Sequence, residues 1–198
     1  MDLSRNVKGV AEQVRKFRIA IAGCGGLGSN IAVSLVRTGV EKLKLADFDN
    51  VEECNLNRQH FFLSDVDKPK SPSLAAILRR INPEVELDVF DEKLVDSNVG
   101  RFFEGADFLI EAFDSADAKL WLIDRWSELY PDKPVVCGSG VAGIGSFEDI
   151  RVRKVGNLYL CGDGKSDASE GFIAPKVAIV AQLEAMTAVK IMMGSVVE

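Results

Sequence analysis

The residues with chemistry to offer in this chain are a cluster of glycines, a few carboxylates and two well-spaced cations. The glycines form Gly23-Cys-Gly-Gly-Leu-Gly28, with Gly25 and Gly26 at the centre and Ser29 next. Asp47 follows Gly23 by 24 residues, and Asp49 lies two further on. Asn55, Arg58 and Gln59 share one polar run, then come Lys70 and the pair Asp114-Ser115. A glycine turn lets an anion reach backbone N–H groups, and a helix starting there adds unpaired amides and a positive dipole end. A carboxylate about twenty residues further on, at a strand tip, can accept bonds from ribose hydroxyls. An arginine fork can clamp phosphate oxygens. The glycines alone say only nucleotide or dinucleotide.

The elements that must hold these groups can be read from the pattern. Residues 1–16 carry a weak helical spacing and predict a short leading helix. An apolar strand over 19–22 stops at the glycines, and Leu27, Ile31 and Leu35 predict a helix over 29–38 with Gly39 as its cap. Residues 43–46 read as a strand running into Asp47. A dehydrogenase of the dinucleotide type would then turn into its next helix. Here a polar loop with aromatics, 50–63, intervenes and brings Asn55, Arg58 and Gln59 beside the nucleotide. A helix from about Ser73 to Asn82, a strand over 85–90, a helix near 96–104 and an apolar strand over 107–113 follow. Asp114 sits at the carboxyl end of that strand, where ligands of open α/β sheets bind. Beyond it come a helix over 116–130, a strand over 135–137, and a strand over 145–153 read as antiparallel. A polar mobile crossover is predicted over 159–169, then an apolar helix from Pro175 to Met193. The expectation is an α/β fold, Rossmann-like, with a mostly parallel sheet flanked by helices and antiparallel strands toward the C-terminus. It forms a single domain over residues 1–198.

Composition narrows the function classes. The chain has 198 residues, 47% of them apolar, and a net charge of −6. That is enough to bury a core, and the acidic balance argues against nucleic acid or an anionic membrane as partner. No apolar run reaches the roughly 18 residues that span a bilayer, and no signal peptide is visible, so a cytoplasmic protein is expected. The four cysteines, Cys24, Cys54, Cys137 and Cys161, contain no C-x-x-C pair, and His60 is the only histidine. Neither a disulfide framework nor a zinc site is suggested. The all-round apolar closing helix suits burial against the sheet or a dimer interface.

In order along the chain, Gly23-Cys-Gly-Gly-Leu-Gly-Ser29, Asp47-Phe-Asp49, Asn55-Leu-Asn-Arg58-Gln59, Lys68-Pro-Lys70, Arg80-Ile-Asn-Pro83 and Asp114-Ser115 resemble the E1-like adenylyltransferases, the ThiF/MoeB/HesA group above all. The resemblance implies that Gly25 and its neighbours hold the ATP phosphates, that Asp47 holds the ribose, and that Asn55, Arg58 and Lys70 face the triphosphate. Asp114 would bind magnesium. The implied reaction is adenylation of the C-terminal glycine of a small ubiquitin-like sulfur carrier ending in Gly-Gly, as in thiamine biosynthesis, by a homodimer. Such a nucleophile is already ionised at neutral pH, so no general base is needed.

Three departures matter. The N-terminal arginine that reaches a partner's site in relatives has only Arg5 as counterpart. The paired C-x-x-C zinc ligands are missing, so no zinc is expected. The reactive cysteine of relatives aligns near Asp167. Plainer readings stand beside these: Asp114 as a helix cap, Lys70 as a solvated lysine, Arg58 with Asn55 as a loop staple, and Cys161 as a thiol on a mobile loop. An NAD-dependent oxidoreductase and a non-catalytic nucleotide-binding scaffold are the alternative functions.

Overall fold

The computed structural model describes residues 1–195. Seven strands form one sheet: β1 Arg18–Ala22, β2 Lys42–Ala46, β3 Glu86–Phe90, β4 Phe108–Glu111, β5 Val135–Gly138, β6 Arg151–Val155 and β7 Leu158–Gly162, in the order β3-β2-β1-β4-β5-β7-β6. All neighbours pair parallel except β6 with β7. The central strands are apolar on both faces because helices cover both, the usual state of a parallel sheet. Strand order reverses between β1 and β4, which opens a crevice beyond their carboxyl ends, the place where such sheets bind ligands.

The helices are α1 Val10–Val14, α2 Gly26–Thr38, α3 Lys70–Ile81, α4 Val99–Phe103, α5 Ala116–Leu129 and α6 Ala174–Met192. One face of the sheet packs Ile19, Ile21, Leu43 and Ile110 against α2, α3 and α6. The other packs Ala20, Ala22 and Leu109 against Phe102, Phe103, Leu122 and Trp126 of α4 and α5. Phe103 meets Trp126 edge to face at 5.0 Å between ring centres, the geometry aromatic quadrupoles prefer. In α6, Val177, Val180, Ala181, Ala185 and Ala188 face the core at helical spacing, so the helix is buried on one side and leaves Ile179 and Met186 outside.

Two expectations over 145–169 are corrected. Residues 145–150 hold a 3-10 turn, Phe147–Asp149, and the strand starts only at Arg151. The supposed crossover from Tyr159 begins instead as β7, paired with β6 through a two-residue Gly156-Asn157 turn. A hairpin turn needs positive φ at its first central position, and Gly156 supplies it at 59°. Cys161 is therefore a buried strand residue and not a loop thiol. The polar stretch beyond, from Asp163, is what joins the sheet to α6. Elsewhere α1, α4 and β4 are shorter than expected, and α2 starts three residues earlier, at the glycines themselves.

Close backbone approach explains the last glycine of the turn. A Cβ on Gly28 would lie 1.8 Å from the Gly23 carbonyl oxygen. Gly28→Ala should therefore force the turn off the helix and lower stability by about 1–3 kcal/mol, the range for overpacking a tight site. Urea unfolding monitored by circular dichroism checks this, and an unchanged midpoint would contradict it.

Candidate active site

The crevice is a cavity of about 1330 Å³ at the carboxyl ends of β1, β2, β4 and β5. Gly23 takes φ 97°, and a Cβ there would meet the Ala112 carbonyl oxygen at 2.6 Å, so only glycine lets the turns after β1 and β4 close up. Gly25 is the N-cap of α2, and the amides of the first turn have no helical partner. Gly23, Gly25 and Gly26 line the cavity, whereas Gly28 packs behind it.

Asp47 lies at the tip of β2 and lines the same cavity. Its Oδ2 accepts the Cys24 N–H at 2.6 Å and its Oδ1 the Asp49 N–H at 2.9 Å. Burial pushes this carboxyl up, and the two N–H donors oppose that. A carboxylate has about four lone-pair sites, so capacity remains for a hydroxyl donor. Lys70 is not a solvated lysine. It opens α3 with its side chain 10% exposed, and its Nζ pairs with Asp49 Oδ2 at 2.9 Å. The Lys70 N–H also donates to the Asp49 carbonyl, so the two residues are joined at backbone and side chain.

The polar loop delivers Arg58 and Gln59 to the cavity but keeps Asn55 out of its lining. Asn55 is buried, its side-chain oxygen caps the Glu52 N–H, and its carbonyl accepts from Arg58 and Gln59. It acts as the loop's staple. The Arg58 guanidinium stacks on Phe172 at 4.8 Å from the ring centre. Gln59 Oε1 is buried without a hydrogen-bond partner among the described residues. Such an orphaned acceptor beside the glycine turn is costly unless a ligand donor meets it.

Asp114 is exposed at the end of β4 and forms no ion pair among the described residues. Ser115 caps α5, its Oγ accepting the Ala118 N–H at 3.4 Å, so the cap is Ser115 and Asp114 is left to face the cavity. No group of three metal-ligating side chains exists among the described residues. One free carboxylate fits magnesium, which usually keeps several waters and takes one or two carboxylates plus substrate phosphates. Arg5 is exposed and does not line this cavity.

A match to the ThiF family covers residues 3–197. The chain belongs to the ThiF family. It is 35% identical over 133 residues to the tRNA threonylcarbamoyladenosine dehydratase of Bacillus subtilis, covering 66% of this chain and 52% of that protein. It is 28% identical over 191 residues to the sulfur carrier protein ThiS adenylyltransferase of the same organism, covering 92% and 56%. The fold matches that of the Escherichia coli tRNA N6-threonylcarbamoyladenosine dehydratase in complex with ATP at a TM-score of 0.85, with 24% identity over 94% of this chain and 90% of that one. The chain spans about half the length of the first curated relatives it matches, 43–52%.

Among cavity residues that the ThiF-like motifs do not include, the segment from Asp163 to Phe172 contributes Ser166, Asp167, Ala168 and Phe172. It is pinned by a buried pair: Lys176 Nζ lies 2.8 Å from Asp163 Oδ2, and both side chains are 3% exposed. The ammonium also donates to the Ala142 carbonyl, and Asp163 Oδ1 accepts the N–H groups of Lys165 and Ser166. Burial pushes the Asp163 carboxyl up, yet Lys176 and these N–H donors outweigh it and hold it well below the usual carboxylate range. The one sequence signal is a lysine just after Pro175, in the first turn of a mostly apolar helix.

None of the four thiols is activated. Burial raises Cys24 and Cys137, takes Cys161 up to about 12, and the Glu52 side chain raises exposed Cys54.

Lys176→Met would strand the Asp163 charge and should cost about 3–5 kcal/mol, while Asp163→Asn combined with Lys176→Met recovers much of it. A double-mutant cycle in urea measures the coupling. Because the folded Asp163 is more acidic than in the unfolded chain, its contribution is full above the ordinary carboxylate range and is lost as pH falls. The wild type should therefore lose stability below about pH 4 more steeply than Asp163→Asn with Lys176→Met.

Proposed function

We propose that this chain adenylates the C-terminal glycine carboxylate of a small ubiquitin-like sulfur-carrier protein, ThiS-like and ending in Gly-Gly, with ATP and magnesium, in thiamine biosynthesis. The observation that carries the reading is convergence: the glycine turn, Arg58, Lys70 and Asp114 face one cavity at the β1–β4 switch point, and that cavity continues past Asp114 along β5. A dinucleotide enzyme needs no such set of phosphate-facing groups, and the NAD-dependent alternative has only the glycines and Asp47 on its side.

The chemistry needs little of the protein beyond placement. A carboxylate oxygen attacks the α-phosphorus of ATP in line, the bond from that phosphorus to the bridging oxygen breaks, and pyrophosphate leaves with the electron pair. The acyl adenylate stays in the cavity. Amides of the first turn of α2 and the Arg58 fork offset the charge on the phosphates. Asp47 takes a ribose hydroxyl, and Gln59 Oε1 is an acceptor at the same end. Magnesium, held through Asp114 and phosphate oxygens, would add charge neutralisation. With no activated thiol near Asp167, the adenylate passes to an external nucleophile and not to a cysteine of this chain. The exposed Ile179 and Met186 of α6 offer a surface for a homodimer. The same reading places the protein in the cytoplasm; among the described residues no helix is long and apolar enough to cross a membrane.

A second reading keeps the adenylation and changes the substrate to a modified tRNA, as the relatives named for tRNA threonylcarbamoyladenosine suggest. The acidic net charge of −6 and exposed Asp114, Asp117, Asp124 and Asp167 on the cavity lining favour the protein substrate, because a polyanion would be repelled.

Pyrophosphate–ATP exchange tests both. It should depend on a Gly-Gly-ending carrier and fall at least about a hundredfold in Arg58→Ala and in Asp114→Ala, the scale for losing a group that stabilises phosphoryl charge. Exchange that survives both substitutions sinks the assignment. Exchange driven by tRNA and not by carrier moves it to the second reading, and ATP binding without any exchange indicates a scaffold.

A further inference from the structure

One buried cluster is not explained by nucleotide binding. Glu111 ends β4 with its side chain fully buried. Its Oε1 accepts the Phe113 N–H at 2.7 Å, and its Oε2 pairs with the ammonium of Lys119, one turn into α5. Lys119 keeps 23% of its side chain exposed and lines the cavity. Glu184 of α6 is fully buried nearby, with neither carboxyl oxygen hydrogen-bonded among the described residues, and it sits behind Gly138, where a Cβ would lie 2.9 Å from its Oε1. Burial pushes the Glu184 carboxyl up, and it makes no hydrogen bond to the lysine among the described residues. Burial alone would lower the Lys119 ammonium, but Glu111 more than reverses that and keeps it charged.

A lysine ammonium has three donors, and among the described residues only Glu111 takes one. The other cavity cations stand on other segments: Lys70 pairs with Asp49, Arg58 stacks on Phe172 and is assigned with Lys70 to the phosphates, and Lys93 lies over Phe48. The side of the cavity beside β4 and β5 carries Asp114, Asp117 and Asp124, which repel an incoming anion, and Lys119 is the cation there.

We propose that Lys119 binds the substrate's carboxylate, holding it at the β4–β5 side of the cavity with the two donors Glu111 leaves free. This rests on the adenylation reading for its substrate class. Glu111 fixes the ammonium in place, and against the repulsion of the surrounding acids Lys119 is the group on this side that can take a carboxylate, which must then meet the α-phosphate. A carboxamide, which lacks the charge, would gain little there.

The test is built to read the anchor without turnover. In the presence of an ATP analogue whose α–β bridging oxygen is replaced by a methylene and which cannot release pyrophosphate, a peptide ending in Gly-Gly is titrated as free acid and as amide. The wild type should prefer the acid by about ten- to a hundredfold, the scale of a hydrogen bond to a charged group. Because Lys119→Met alone strands Glu111, the variant used is Lys119→Met with Glu111→Gln, which removes both charges. It should lose the preference while its ATP affinity stays within about twofold, and Lys119→Arg should restore most of it. Equal binding of acid and amide by the wild type, no binding of either, a preference retained by the double variant, or ATP affinity lost with the preference would each overturn the proposal. Failure of pyrophosphate exchange with intact acid-selective binding overturns the adenylation reading instead and leaves the anchor standing.

Discussion

The Asp47 carboxylate accepting the Cys24 N–H is the interaction on which the site depends. It ties the tip of β2 to the first turn after β1, and its second oxygen turns the chain back through Asp49. Asp49 then fixes Lys70, and with it the start of α3. Three segments separated by more than twenty residues in sequence are thereby set relative to one another by one buried anion. Its burial is tolerable because both oxygens have donors, and the same burial holds the group at a fixed height over the cavity floor. On the far side the constraint is steric: Gly23 and Ala112 approach so closely that the β1 and β4 turns share a wall.

Much of this was legible in the residues, and the reasons differ by element. The strand–glycine–helix unit announces itself because the apolar run, the turn glycines and the helical spacing are all local. Asp47 and Asp114 were legible because strand tips point to the crevice in any sheet of this type. The pairing of Lys70 with Asp49 was hidden, since a lysine beside a proline reads as solvated until α3 is folded back against the β2 tip. Asn55 reads as a ligand group by type, yet its hydrogen bonds run within its own loop. The β6–β7 hairpin is masked in the sequence: Gly156-Asn157 between two alternating runs carries its mark, but the polar residues beyond Gly162 make the whole stretch resemble a crossover.

Buried charge is handled differently at different places around the sheet. In α6, Lys176 pairs with Asp163, while Glu184 has neither oxygen hydrogen-bonded among the described residues and burial pushes its carboxyl up. On the α5 side Glu111 and Lys119 keep their charges by pairing. Neither pattern is visible in a sequence, where Glu111 stands at the end of an apolar strand and Glu184 in an apolar helix. Such positions are expensive for a carboxylate, and chemistry at the cavity gives them a reason that packing does not.

The ion pair between Asp163 and Lys176 brackets a stretch of chain whose two ends are already held together. For a loop closed in this way, each doubling of length costs only about 0.6 kcal/mol of closure entropy. Between the two anchors the segment meets the phosphate end of the cavity at Phe172, on which Arg58 stacks and whose carbonyl accepts from Asn57. The segment over the cavity is thus the part of this architecture whose length and composition are cheapest to vary. A single scaffold can present different walls to different carboxylates, provided Phe172 keeps its place under Arg58.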